Sequence, residues 1–427
     1  MTETTGTEQK QAAQITAALL LTVASAAVPL SLTKPWVGMA LWAAMLVGCV
    51  VLFRAWRVGV TLTLIGSTAC LLLSGSYLFA GTLAAALAVG TFAGAFLMTT
   101  MEKPSLACVF PLLSVGVTAI FTRDWLFMLA ALSLLPAAAL TAFATKRGMG
   151  RTAIICYGAA GLLAAALLLT ALAVARTEAG LSLETVRGML DSWREKMLAE
   201  RIEMRDELLA MLERAYQNAG AGNTQSVQSM LDSYKRLLSD ANLEADLISV
   251  FNVLPGAVVA IALIAAYLGQ LLLLEGYRAA GMNAAITPEN EFLVMSLPAA
   301  IIWTVCMIVS LIGDGSYAVP IVTMQNLAII LTPGLCAVGW HTLTRFFRSV
   351  PARGRGILIL PGIALVCCAS TSVFWILAAY GAYATVLSAM RRAVLRRRGD
   401  PPTGGSNGGN GNDGNDGNSG DDGNPFR

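Results

Sequence analysis

Residues 15–53, ITAALLLTVASAAVPLSLTKPWVGMALWAAMLVGCVVLF, decide the fold class. A bilayer core takes about 20 apolar residues in one helical crossing. This stretch is close to twice that long, and its one charge, Lys34, stands beside Pro35 in the middle. An apolar run with a charge and a turn former at its centre reads as two membrane spans folded back on each other.

The same arithmetic works outward. Residues 58–101 divide at Ser74-Gly75-Ser76, residues 105–144 divide at Arg123-Asp124, and residues 152–175 make one further span. After a polar insert come apolar blocks at 251–274, 292–312, 317–343 and 357–390. The last is too long for one upright helix and just long enough for two short ones joined near Ala369 to Ser372. The sequence thus predicts an all-α polytopic transmembrane bundle of about eleven or twelve spans.

Composition agrees. The chain is 56% hydrophobic and 13% charged, with a mean hydropathy of +0.66 and a net charge of +3. The apolar excess lies in runs, which excludes a soluble globule. The basic residues sit at the ends of those runs, without the grooved, aromatic-interleaved clustering of a nucleic-acid surface, so no nucleic-acid partner is expected. All eight cysteines lie inside apolar blocks and read as packing residues. The N-terminus, with Glu3, Glu8 and Lys10, lacks the positive start of a secretory signal, and its apolar stretch is read as an uncleaved first helix.

Charge sets the expected orientation. With the N-terminus inside, Arg54, Arg57, Lys103, Lys146, Arg147, Arg151, Arg278, Arg345, Arg348, Arg353 and Arg355 all fall on the inner side, while the outer turns hold only Lys34, Arg123 and Asp314. Two spans in the final block keep Arg391, Arg392, Arg396, Arg397 and Arg398 inside as well. The expected location is a bacterial cytoplasmic (inner) membrane with both termini cytoplasmic. The chain then divides into a short N-terminus (1–13), a first membrane bundle (14–175), an exterior insert (176–248), a second bundle (249–390) and a basic segment with a Gly/Asn/Asp-rich tail (391–427). The tail has almost nothing apolar to offset ordering entropy, so disorder is predicted.

Within the insert, Leu190, Trp193, Met197, Ile202, Leu208, Met211 and Leu212 recur at near-helical spacing, and Gly220-Ala221-Gly222-Asn223 interrupts the pattern before Val227, Leu231, Tyr234 and Leu238. This is a helical hairpin with one apolar and one solvated face. It is read either as a solvated cap on the bundle or as a partner-binding or gating element.

Ionisable groups within the spans, the best pointer to ion coupling, are nearly absent: His341, Glu275, Glu289, Glu291 and Asp314 fall at span ends. The candidate solute site is Gln325 with Asn326, bracketed by Pro320 and Pro333-Gly334, where a broken helix would free backbone groups to line a cavity. Asn252 with Pro255, and Gln270, are weaker candidates. Small-residue stripes at Ala18, Thr22, Ala26 and at Ala86, Gly90, Gly94 would let helices approach closely, within the chain or at a subunit-docking face. No phosphate-cradling Gly-rich loop or His-Glu-x-x-His appears, and one His cannot supply both a metal site and a general base. No enzymatic activity, metal or cofactor is therefore expected.

The order of parts resembles the YybS-like family of bacterial membrane proteins. The likeness is carried by an apolar N-terminal half, a helical insert at 183–246, Asn290-Glu291-Phe292 leading into Leu297-Pro298, and a closing hairpin ending near Gly381 before Arg391-Arg392. The family's final helix tends to carry an acidic residue after its Gly, where this chain has Ala382-Tyr383. The family is in turn similar to the substrate-binding membrane subunits of energy-coupling-factor importers. That likeness implies a solute-binding component served by a separate coupling subunit and ATPases, docked through a first-helix Ala-xxx-Ala stripe. Ala18, Thr22 and Ala26 match the stripe with Thr in the middle. The function expected is a transport-related component that binds a small solute; the competing expectation is a scaffold that recruits envelope partners through the insert.

Overall fold

The computed structural model describes residues 2–53, 78–177, 180, 182–218, 224–282, 295–313, 319–349 and 370–397, and every regular element among them is helical. In chain order these are α1 (Thr2–Thr33), α2 (Pro35–Phe53), α3 (Leu78–Thr100), α4 (Val109–Phe121, entered through a 3-10 turn at Pro104–Cys108), α5 (Trp125–Ala130), α6 (Leu134–Lys146), α7 (Arg151–Ala175), α8 (Leu183–Asn218), α9 (Thr224–Leu237), α10 (Asp240–Ala279), α11 (Leu297–Ile312), α12 (Val319–Ser349) and α13 (Ser370–Arg397). Hydrocarbon offers no partner to a bare N–H or C=O, so a chain that crosses it satisfies its backbone internally. Eight helical runs among the described residues are long and apolar enough to do so: Thr7–Ser31, Leu83–Thr100, Pro104–Phe121, Trp125–Lys146, Arg151–Ala175, Asp240–Ala279, Val319–Arg345 and Val373–Val394. Helices α2 and α11 are apolar but shorter. The chain is an all-α polytopic membrane bundle.

Breaks fall where the turn chemistry lies. Lys34 separates α1 from α2. Asp124 begins α5, its carboxylate accepting Leu126 N–H at 3.0 Å. Between α6 and α7, Gly148 sits at φ +63°, with Gly148 N–H on Thr145 O (3.0 Å) and Met149 N–H on Ala144 O (3.1 Å). These bonds satisfy the last carbonyls of α6 and let the chain reverse within four residues.

Helix α3 is the centre of the bundle, packed by α1, α2, α6 and α10. Phe92 and Phe96 are fully buried there, their rings 6.2 Å apart, and Phe96 meets Tyr277 at 5.7 Å. Lipid is as apolar as any side chain, so association depends on close contact, which small residues permit. A Cβ on Gly94 would come within 2.6 Å of Ala138 Cβ, and one on Gly161 within 2.5 Å of Ala137 Cα. At Gly158 it would meet Thr141 Oγ1 at 2.8 Å and Ala266 Cβ at 3.3 Å, so α6, α7 and α10 converge on one hydrogen atom.

Two hydrogen-bonded ends define the poles of the bundle. At one, Gln14 Nε2 donates to Thr100 O (3.0 Å) and Tyr277 O–H to Thr99 Oγ1 (2.7 Å), which brings together the first half of α1 and the ends of α3 and α10. At the other, Arg176 donates to Asp124 Oδ2 (2.6 Å), joining the end of α7 to the turn before α5. The hairpin, α8 with α9, leaves from this second pole.

Several expectations change. The stretch holding Gln325 and Asn326 is not a broken helix: α12 runs unbroken from Val319 to Ser349 with Pro333 inside it. Pro320 stands in its first turn, where the missing N–H removes no helical bond. The boundary drawn at 248/249 falls inside α10, one 40-residue helix with Pro255 in its course. The expected third span, the Gly220 to Asn223 turn, Asn290-Glu291-Phe292, the first part of the final block and the Gly/Asn/Asp-rich tail lie outside the described residues. Residues 1–385 form one unit and 386–427 a second. Of the latter, 386–397 are described: the last turns of α13, where Arg392 Nε donates to Ser388 O at 3.3 Å.

Candidate functional site

Where α10 passes into the apolar part of the chain, Pro255 interrupts its ladder, since proline has no N–H to donate and its ring crowds the preceding turn. The next amide, Gly256 N–H, donates to Asn326 Oδ1 at 2.6 Å. The carbonyl it would ordinarily reach, Asn252 O, accepts from Asn326 Nδ2 at 2.8 Å. The same Nδ2 donates to Val322 O within α12 at 2.9 Å. One carboxamide therefore braces the backbone beside the proline, accepting once and donating twice, and its orientation is dictated because Gly256 can only donate and Asn252 O only accept. A Cβ on Gly256 would lie 2.7 Å from that Oδ1, so glycine is what lets α12 come near enough to make the splice.

This places the predicted solute pair. Asn326 is committed to backbone groups of α10, and Gln325, half-buried, leaves α12 about 100° around the helix from it. The two do not combine into one site.

The two stripes differ in how far the chain covers them. Ala86, Gly90 and Gly94 are buried, with Gly90 facing Leu134 and Ala24, and Gly94 facing Ala138 and Leu21. In the other stripe Ala26 is buried while Ala18 and Thr22 are half-buried; Ser114 Oγ of α4 donates to Thr22 O at 2.7 Å, and Thr22 Oγ1 donates within α1 to Ala18 O at 2.9 Å.

Above the splice, α8 runs antiparallel to the start of α10. Trp193 meets Phe251 edge-on at 5.2 Å; twelve residues on along α8, Arg205 binds Asp240 and also Leu238 O (3.3 Å). Lys235 of α9 pairs with Glu213 at 2.8 Å. The acceptors Asp240 and Asp206 push the Arg205 pKa up, and Glu213 does the same for Lys235. The seam between the helices is apolar, with Leu243 and Leu247 buried.

A second stripe of α8 is not covered by any described residue. Met189, Met204, Leu208 and Met211 are all exposed and fall within about 100° of the helix circumference. Beside it, at the base of the hairpin, Thr185, Gly188, Met189, Ser192, Trp193 and Lys196 line a groove of about 480 Å³. Periodicity alone showed α8 to be amphipathic; that it carries two apolar seams, one covered and one open, needed the position of α10.

Also at this pole, the Arg176 bond, then the Leu126 N–H, hold the Asp124 carboxyl below its ordinary value of 3.8. A depressed carboxyl pKa contributes stability above the ordinary carboxylate range and loses it as pH falls through the folded-state value. Thermal stability should therefore drop as pH is lowered below about 4, and Asp124→Asn should be less stable at neutral pH and flatter with pH over that range. An unchanged pH profile would show that the pair contributes nothing.

At the opposite pole, Gln270 is 1% exposed. Its Oε1 accepts from Arg151 Nε at 2.8 Å, and its Nε2 has no partner among the described residues. No group of three His, Cys, Asp or Glu among the described residues is placed to hold a metal ion. Compared with known proteins, the chain matches no family model, no curated sequence and no solved structure.

Proposed function

We propose that this chain is a membrane-embedded platform that presents its helical hairpin to partner proteins of the envelope. The observation that supports this reading is the open seam of α8. Single exposed apolar residues are ordinary, but four aligned on one face of a polar helix, beside a seam already buried, make a surface suited to another amphipathic helix. The splice at Asn326 then ties the root of the hairpin to the bundle through α10 and α12.

Lys103, Lys146, Arg147, Arg151 and Arg278 gather at the pole away from the hairpin, which supports a cytoplasmic assignment for that pole and an exterior hairpin in a bacterial inner membrane. The transport reading, a small solute bound with energy from a separate coupling subunit and ATPases, is the one a YybS-like resemblance would favour. It keeps Gln325 as its candidate and loses Asn326.

The test is cross-linking in the native membrane followed by purification of the tagged chain, with Met204→Glu/Met211→Glu beside the parent. Both side chains are exposed, so the fold should survive. Loss of cross-linked partners in the double variant is expected; full retention would refute the docking reading.

A further inference from the structure

The corner where α6 turns into α7, at the pole away from the hairpin, carries a charge imbalance. From Trp125 to Ala175 the chain holds Lys146, Arg147 and Arg151 and no Asp or Glu. Arg151 is turned inward, bonded to Gln270 and lying 5.6 Å from the centre of the Tyr267 ring. Lys146 and Arg147 are exposed. The Arg147 guanidinium lies 4.5 Å over the ring of Phe143, and Phe143 leans on Tyr157 of α7 at 6.2 Å. Both rings are open, Phe143 at 41% and Tyr157 at 37%. They sit on the outward faces of two spanning helices, about one and two turns from the corner, where a folded bundle meets lipid.

A guanidinium stacked on a ring has one face covered and its orientation restrained, while its N–H edge stays open, and that edge matches two oxygens of a phosphate. The end of a membrane span puts the edge at headgroup depth, with the aromatic pair just beneath it. Gly148 and Gly150 form the turn itself, and a Cβ on Gly148 would meet nothing within 4 Å, so the approach is unobstructed.

We propose that this corner binds one anionic phospholipid, its phosphate held by Arg147 with Lys146 alongside and an acyl chain lying over Phe143 and Tyr157. General attraction of cations to an anionic surface would apply equally to Lys103, also exposed at this pole, and would need no rings. The site is independent of the docking reading, which concerns the other pole.

The test uses the full chain in nanodiscs of equal phosphatidylglycerol and phosphatidylcholine, released for native mass spectrometry. Two cations, each worth roughly fivefold, should favour phosphatidylglycerol among retained lipids by roughly twenty-five-fold. Arg147→Gln should lower this preference about fivefold, Phe143→Leu about two- to threefold through lost stacking, and Lys103→Gln should leave it unchanged. Excess inorganic phosphate should not displace the lipid. A parent without preference, equal effects of Arg147→Gln and Lys103→Gln, or displacement by free phosphate would each overturn the assignment. Should Arg147→Gln not assemble, the comparison is read on Phe143→Leu, which leaves both cations in place.

Discussion

Gly381→Leu is expected to prevent α12 and α13 from assembling. The two helices touch backbone to backbone: a Cβ on Gly381 would run into Leu335 O and lie 2.9 Å from Gly339 N, and one on Gly339 would run into Leu377 O and lie 3.1 Å from Gly381 N. Leu335 and Ala378 are fully buried at this crossing, and Cys336 Sγ lies 3.1 Å from Phe374 O. No flexible side chain is available to give way, because the obstructing atoms are backbone. Overpacking a tight contact typically destabilises by about 1–3 kcal/mol, which sets the expectation for Gly381→Ala; leucine should exceed it. Gly116 of α4 is the control, since a Cβ there would meet nothing within 4 Å, and Gly116→Ala should be neutral or stabilising by up to about 1 kcal/mol. Thermal unfolding followed by size exclusion in detergent reads all three. Equal stability of Gly381→Ala and Gly116→Ala would mean that the crossing is not as close as described.

Asn326→Leu should have the second largest effect. It leaves Gly256 N–H and Asn252 O of α10 without the carboxamide that joins them. Each buried backbone group orphaned this way costs about 1–3 kcal/mol, and apolar surroundings push toward the upper end. The informative measurement is a cycle with Pro255→Ala, which restores an N–H at 255 and lets α10 close its own ladder. Asn326→Leu should then be much better tolerated on the Pro255→Ala background than on the parent. Strict additivity would mean that Asn326 is not bridging the gap left by Pro255. If solute binding were also monitored, a loss on Asn326→Leu that Pro255→Ala reverses would be structural in origin.

The candidate site was only partly legible for a physical reason. Pro320, Pro333 and Gly334 near two amides matched the pattern of a broken, cavity-lining helix, and nothing within residues 317–343 distinguishes that from a whole helix whose amide serves a neighbour. The proline that matters lies 71 residues earlier than Asn326, at Pro255 inside the continuous α10, and the amide that bonds to the backbone beside it is supplied by another helix. The stripes posed the same difficulty: Ala18, Thr22, Ala26 and Ala86, Gly90, Gly94 each announce close approach without naming what approaches.

Taken by itself, the sequence determined what a one-dimensional pattern can carry. The apolar run lengths, Lys34-Pro35 and Arg123-Asp124 set helical spans and their turns, because hydrocarbon thickness and backbone satisfaction act locally along the chain. The amphipathic period of residues 183–218 set a polar hairpin for the same reason. Only the tertiary structure decided which surfaces are covered: that α3 lies at the centre, that the Ala86, Gly90, Gly94 stripe is consumed inside the chain, that Asn326 bonds to α10, and that among the described residues one seam of α8 and the Arg147, Phe143, Tyr157 corner stay open. In a membrane every span is apolar all round, so hydrophobicity no longer marks the buried face, and which small residue meets which neighbour is settled by shape in three dimensions.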